Sequence, residues 1–229
     1  MKRLALLIGL LLVGVLLLAA CAKATPESTP VPPAATEEAG AALPDLGGRE
    51  VTVAIENAYL PFNYVLLETG EAQGWDYDTI NAICDRLNCK PVWQEFAWDT
   101  MIAAVSEGQF DMAADGITIT EERAQQVDFS IGYVAIEQRL LVRLDEDRFE
   151  GPDDFAANPD LIAGTQEATT NFTTAVALVG DARVHSFVDF GTAVQSVIAG
   201  DVDAVVIDET AGLGYLGANK EELKLTGRS

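Results

Sequence analysis

The sequence predicts an α/β fold in which parallel sheets are flanked by helices. Three observations lead there. From residue 50 to the end, short β-like and helical segments alternate along the chain. The apolar residues switch between a period of two and a helical period as they do so. About 180 residues are available after residue 48, enough for one larger domain or two small lobes. Strands alternating with helical patterns of this length are the signature of sheets whose faces are covered by helices.

Each element has its own warrant. EVTVAIE (50–56) alternates apolar and polar residues and predicts a strand. In YDTINAICDRL (77–87), Asp76 stands where an N-cap belongs, and Ile80, Ile83 and Leu87 share one face, which predicts a helix. PVWQEF (91–96) predicts a strand; Trp98, Met101, Ile102 and Val105 then recur at helical spacing until Gly108. DMAADG (111–116) predicts a strand and turn, and YVAIEQRLLVRL (133–144) a long strand. Further strands are expected at LIAGT (161–165), RVHSFV (183–188) and DAVVI (203–207), and helices at 169–179, 191–199 and 208–218, the last interrupted by glycines. Phe62, Trp75, Phe96, Phe129 and Phe190 are candidates for the core, and no repeat of fixed period occurs.

The first 48 residues have a different character. Met1-Lys2-Arg3 precedes a 17-residue apolar run, LALLIGLLLVGVLLLAA, and then Cys21. A positive start, an apolar stretch and small residues before a break describe a secretory signal peptide. The ending Leu18-Ala19-Ala20-Cys21 resembles the lipobox of bacterial lipoproteins, in which the cysteine is lipidated and becomes the new N-terminus. An uncleaved transmembrane helix is the alternative, since the run reaches the lower limit of roughly 17 residues for a span. Either way the rest of the chain is expected outside the cytoplasm, tethered to a membrane. Residues 22–48 hold five of the nine prolines among Ala, Thr and Glu, the composition of a disordered tether. Residues 1–20 are thus read as a lipoprotein signal peptide and 21–48 as the lipidated cysteine and its linker.

Charge and cysteines narrow the partners. With 36 acidic against 14 basic residues the formal net charge is −22, which disfavours nucleic acid and anionic lipid headgroups. Cys84 and Cys89 form an even pair in an oxidising compartment. If the turn at Leu87-Asn88 brings their Cα atoms within roughly 4.4–6.8 Å, a disulfide closes the corner; two buried free thiols are the alternative. The single histidine, His185, lies far from both, so a metal site is not expected there; no cofactor is expected either.

In sheets of this kind ligands bind beyond the carboxyl ends of the strands. The segments to inspect are therefore 56–62, 116–123, 166–170 and Asp208. They carry charges of both signs, which suits a small zwitterion.

Over residues 50–226, in order, the chain resembles the extracellular solute-binding proteins of family 3, which deliver amino acids to ABC importers. The motifs are Tyr59-Leu60-Pro61-Phe62, Gly74-Trp75-Asp76-Tyr77-Asp78, Trp98-Asp99, GITITEERAQQVDFS within 111–130, Gln166-Glu167-Ala168-Thr169-Thr170 and GDVDAVVIDE at 200–209. The resemblance implies a two-lobed, periplasmic-binding-protein-like (type II) fold with hinge strands, lobe 1 at 49–141 and lobe 2 at 142–229, closing on a ligand. It implies that Arg123 pairs with the ligand's α-carboxylate, for which a planar guanidinium is suited and an ammonium is not. The alternative is an exposed arginine paired with Glu121 or Glu122, worth at most about 1 kcal/mol.

Around Arg123 the resemblance places the other site residues. Thr118 offers a hydroxyl, and Gly116 an approachable backbone carbonyl; helix capping is the competing role for Thr118 and the expected one for Thr120. Thr169 and Thr170 stand where a helix begins, so their N–H groups can meet the carboxylate. Asp208, ending an apolar strand, accepts from the ligand's ammonium, caps the next helix, or does both. Tyr59 and Trp98 match positions that sandwich the ligand side chain, with core packing the alternative for Trp98. Glu56 and Gln166 match positions at the far end of that side chain, where an acid favours a cationic or amide-bearing amino acid.

Two departures from the family pattern stand out. Ala168 replaces a glycine, and the chain stops at residues 225–229, about where relatives return to complete the first lobe, which would leave that lobe incomplete. The expected function is a lipid-anchored, monomeric, extracytoplasmic (periplasmic or outer-surface) protein that captures a polar or cationic L-amino acid and hands it to an ABC transporter permease. Competing readings are an enzyme on the same scaffold of the cyclohexadienyl dehydratase kind, a sensory module, and a truncated remnant without function.

Overall fold

A computed structural model describes residues 42–226. The expected signal peptide, the lipidation site at Cys21 and most of the linker lie outside the described residues.

Three sheets are present. In the first, β1 (Arg49–Ile55) runs parallel to β5 (Cys89–Glu95) on one side and β6 (Met112–Ala113) on the other. Between β1 and β5 the chain forms a small antiparallel meander, β2 (Ala58–Tyr59), β3 (Asn63–Val65) and β4 (Ala72–Gln73), followed by helix α1 (Trp75–Leu87). Helix α2 (Trp98–Ser106) connects β5 to β6, and the single turn α3 (Glu121–Ala124) follows. Residues 128–137 then pass without regular structure to the second half.

The second half is a five-stranded sheet in the order β11 (Leu223–Thr226), β7 (Gln138–Arg143), β10 (Ala204–Asp208), β8 (Ala163–Gln166), β9 (Val184–Phe187). Around it lie α4 (Pro152–Ala157), α5 (Thr170–Val179), α6 (Phe190–Ala199) and α7 (Glu209–Asn219). β10 is its centre: all five residues, AVVID, are buried, as a strand covered on both faces must be. The helices explain that burial. α6 turns Phe190, Ala193, Val194 and Val197 inward against Leu141, Val205 and Ile207, and Ala175 of α5 joins Leu140, Ala163 and Val206 on the opposite face. Asp189 caps α6, accepting from the Thr192 amide at 2.6 Å, and Gly200 ends it in the left-handed conformation.

Several expectations are corrected. The second sheet is not wholly parallel: β7 is antiparallel to both its neighbours, because it enters where β10 ends, Gln138 opposite Asp208. The long strand expected from residue 133 begins only at Gln138, since β10 offers no residue beyond Asp208 in this pairing for a longer ladder. Apart from these corrections, β7 runs through residues 141 and 142, where the two lobes were expected to meet, as one strand of the second sheet. Asp76 is not the cap of α1; Gly74 holds that place, and the Asp76 carboxylate turns inward to accept from Asn63 at 3.0 Å. Trp75, expected in the core, is 42% exposed, and Ile83, on the apolar face predicted for α1, is 43% exposed. Phe62 and Phe190 are buried; Phe96 and Phe129 are only partly so.

Cys84 and Cys89 are joined by a disulfide, Cα atoms 4.5 Å apart, closing the corner between α1 and β5. Asn88 makes that corner possible by adopting the left-handed conformation at the helix end. Among the described residues no helix is long and apolar enough to cross a membrane, and no cluster of metal-ligating side chains occurs.

Candidate functional site

The ends of β1, β6, β8 and β10 face a common cavity. All ten residues singled out from the sequence line it: Glu56, Tyr59, Trp98, Gly116, Thr118 and Arg123 from the first half, Gln166, Thr169, Thr170 and Asp208 from the second. The loops that follow strand ends converge here because both sheets point their carboxyl edges at one another.

Arg123 is fixed by its surroundings. Thr120 caps α3, its hydroxyl accepting from the Arg123 amide at 3.2 Å, as expected for that threonine. The guanidinium lies 5.0 Å from the centroid of the Trp98 ring, a cation–π distance. It donates to the Thr118 carbonyl at 2.9 Å and, across the cleft, to the Ala168 carbonyl at 3.3 Å. Two of its five N–H groups are so engaged. Ion pairs among the described residues involve Arg49, Arg139, Arg143 and Arg148, so Arg123 is not paired with Glu121 or Glu122. Burial draws its pKa down, against the nearby charges of Glu122 and Asp208.

Asp208 occupies the N-cap position of α7 but makes no side-chain cap bond. Its carboxylate instead accepts from the Tyr59 hydroxyl on the other side of the cleft. Burial raises its pKa, and bonds from Tyr59, Asn171 and Gln138 oppose the rise. Tyr59 therefore differs from an open aromatic wall: its hydroxyl is committed to Asp208, and its ring stacks on Phe62 (5.1 Å) and Phe190 (6.0 Å). The glycine at 116 is explained by the same ring. At φ +54 a Cβ there would lie 2.5 Å from Tyr59 Cε1, so close packing against Tyr59 requires the absence of a side chain.

Glu56 and Gln166 meet across the cleft, Gln166 Nε2 donating to Glu56 Oε1 at 2.6 Å. Burial pushes the Glu56 carboxyl up to about 7; the Gln166 bond opposes this, and the charges of Asp189 and Asp99 add to it. Thr169 caps α5, accepting from the Phe172 amide at 3.1 Å, while the Thr170 hydroxyl accepts from Gln138 at 3.2 Å. Ahead of them Ala168 sits at φ +57, a conformation natural to the glycine it replaces.

Three further lining residues escaped the sequence reading: Asp115, Asn171 and Phe190. Asp115 is 3% exposed; it accepts from Asn63 through Oδ1, while Oδ2 is buried without a hydrogen-bond partner. Its signal is in the sequence, since Asp115, like Asp208, is a carboxylate at the end of a strand segment. Asn171 is 2% exposed with its Oδ1 unpartnered, and nothing in Thr170-Asn171-Phe172 sets it apart from an ordinary first helical turn. Phe190 was assigned to the core, where most of it is. His185 lies exposed on β9, away from the cavity.

The sequence profile of the bacterial extracellular solute-binding proteins, family 3, matches residues 51–178. The chain belongs to that family. Among curated members, a Campylobacter jejuni protein named "Probable histidine-binding protein" is 31% identical over 163 residues, covering 71% of this chain and 61% of the relative. This family 3 chain thus spans about three fifths of the length of the curated relatives it matches. Among solved structures, an ancestral arginine-binding protein bound to arginine superposes with a TM-score of 0.74 at 30% identity, covering 80% of each chain. An ancestral amino-acid-binding protein, a precursor of cyclohexadienyl dehydratase, gives 0.72 at 28% identity, covering 79% of this chain and 78% of its own. The fold of this family member is accordingly the type II arrangement of the amino-acid-binding proteins.

Proposed function

We propose that this family 3 protein captures a polar or cationic L-amino acid in the cleft and delivers it to an ABC importer. The observation that carries the reading is the presence of Arg123 and Asp208 in one cavity, one from each half of the fold. A guanidinium matches an α-carboxylate, and a carboxylate matches an α-ammonium. Because neither half supplies both charges, a zwitterion bridging them favours the closed arrangement. Glu56 and Gln166 then face the far end of the ligand side chain, and the α5 N-terminus at Thr169 and Thr170 adds backbone donors to the carboxylate end. Anchoring through a lipid on Cys21, a monomeric state and docking on a permease complete the proposal. Binding proteins among the curated relatives support it.

The test is isothermal calorimetry against a panel of L-amino acids, with Arg123→Ala beside the unaltered chain. Saturable binding by one chemical group of amino acids, weakened at least about tenfold in the variant, is the expected result. Absence of heat with every amino acid at millimolar concentration refutes it.

A second reading is favoured by one observation, the raised pKa of Glu56 in a fold similar to that of a dehydratase precursor. A carboxyl titrating near neutrality suits general acid–base work. Formation of product from prephenate or arogenate would establish it, and its absence at saturating substrate would remove it.

A further inference from the structure

The cavity holds more negative charge than a simple zwitterion needs. Arg123 and Asp208 already match one carboxylate and one ammonium. Glu56 and Asp115 remain, both carboxyls lining the same cavity, with the cavity's one guanidinium spoken for. Asp115 is nearly solvent-free, and its Oδ2 has no partner among the described residues. Its Oδ1 is tied to Asn63, whose amide also donates to Asp76, so the carboxyl cannot swing away to solvent. An acceptor held rigidly, buried and unsatisfied at the wall of a cavity is costly unless something arrives to meet it.

Resting on the amino-acid reading above, we infer that Asp115 is the specificity-determining residue of the cleft: it accepts a cationic group at the end of the ligand side chain, and capture of that group expels a proton from the Glu56–Asp115 pair to solvent. The geometry supplies the reason. The two carboxyls border one small space and repel each other there. Burial first, then the Glu56 charge, raises the Asp115 pKa well above the ordinary carboxylate range, and Glu56 is itself raised to about 7. Near neutral pH the pair therefore holds a proton. A guanidinium or ammonium set between them favours both charged forms, and the proton leaves. The other groups that face Asp115 do not supply that cation: Asp76 from α1, Tyr59 from β2, Tyr77 from α1 and Tyr133 from the connecting segment are acidic or neutral. Around Glu56 the same holds for Asp99 and Asp189.

Calorimetry with L-arginine and L-glutamine decides the matter, each titrated at pH 6.5 in phosphate and in imidazole, buffers of different ionisation heat. The expected result is about half to one proton released per bound arginine, none for glutamine, and an arginine affinity that falls by up to about tenfold for each pH unit of acidification below neutrality. Asp115→Asn should weaken arginine about thirtyfold or more and glutamine by a smaller factor, so that the preference for arginine falls. Should that variant fail to fold, the proton count and pH slope of the unaltered chain decide alone. Equal affinity for the two ligands with no difference in protons released overturns the inference while amino-acid capture stands. No binding of either, or of any other amino acid, overturns both.

Discussion

Replacing Glu56 by glutamine should stabilise the protein, and only above acid pH. The folded chain holds the Glu56 carboxyl at about 7, against 4.5 in its ordinary environment. A raised carboxyl binds its proton more tightly folded than unfolded. The stability it lends is thus complete below about pH 4.5 and is lost as the pH climbs through 7. At about 1.4 kcal/mol per unit, the loss is on the order of 3 kcal/mol. A glutamine cannot ionise, and its side-chain oxygen still accepts from Gln166. The variant should therefore keep at pH 8 the stability that the unaltered chain has only in acid.

Urea denaturation followed by circular dichroism from pH 4.5 to 8 measures this directly. The two curves should meet near pH 4.5 and separate with rising pH. By pH 8 the gain is equivalent to roughly 6–12 °C in melting temperature, at roughly 2–4 °C per kcal/mol for a chain of this size. Asp115 and Asp76, whose pKa values burial also raises, leave a shallower slope in both proteins. Curves that run parallel across the whole range would refute the reasoning, since Glu56 would then be ionised without penalty. Stabilisation bought at the expense of arginine binding would also show that the acid is retained for its ligand rather than for the fold.

Three other perturbations test particular residues. Ala168→Gly relieves a left-handed alanine at φ +57 and should raise stability by about 0.5–1 kcal/mol, read from the urea midpoint, after the added freedom of the unfolded glycine is subtracted. Gly116→Ala drives a methyl against the Tyr59 ring and should cost about 2–3 kcal/mol, with loss of ligand affinity in the same preparation. Opening the disulfide, by reductant or by serine at both Cys84 and Cys89, removes a closure between residues five apart in sequence; the chain-entropy relation gives about 2 kcal/mol, and a melting temperature indifferent to reductant would refute it.

What could be read in advance, and what could not, follows from the range of each interaction. The strands and helices were legible because apolar periodicity reflects local geometry: AVVID is apolar because it is buried on both faces. Positions after strand ends were legible because topology places them at one edge. Local sequence does not encode what covers a face. Trp75 and Ile83 carry the composition of core residues, yet their exposure depends on which elements pack over α1. Asp76 looks like a helix cap, and only the distant Asn63 turns it inward. The reach of β7 depends equally on a partner, since its first residue is set by where β10 ends.

The cleft contacts carry a consequence for affinity. Three of the bonds across it use the very groups proposed to hold a ligand: Tyr59 to Asp208, Gln166 to Glu56, and Arg123 to the Ala168 carbonyl. A ligand ammonium that takes Asp208 competes with the Tyr59 hydroxyl, and a carboxylate that takes Arg123 competes with a peptide oxygen. Each exchange returns only the difference between a charged and a neutral partner, since hydrogen bonds to charged groups exceed neutral ones by roughly 1 kcal/mol. The Asp115 Oδ2, with no partner among the described residues, has no such bond to exchange. A cation reaching it displaces no hydrogen bond and gives up only the proton that leaves the Glu56–Asp115 pair, so the increment in affinity at Asp115 grows as the pH rises, and with it the discrimination among amino acids by side-chain charge.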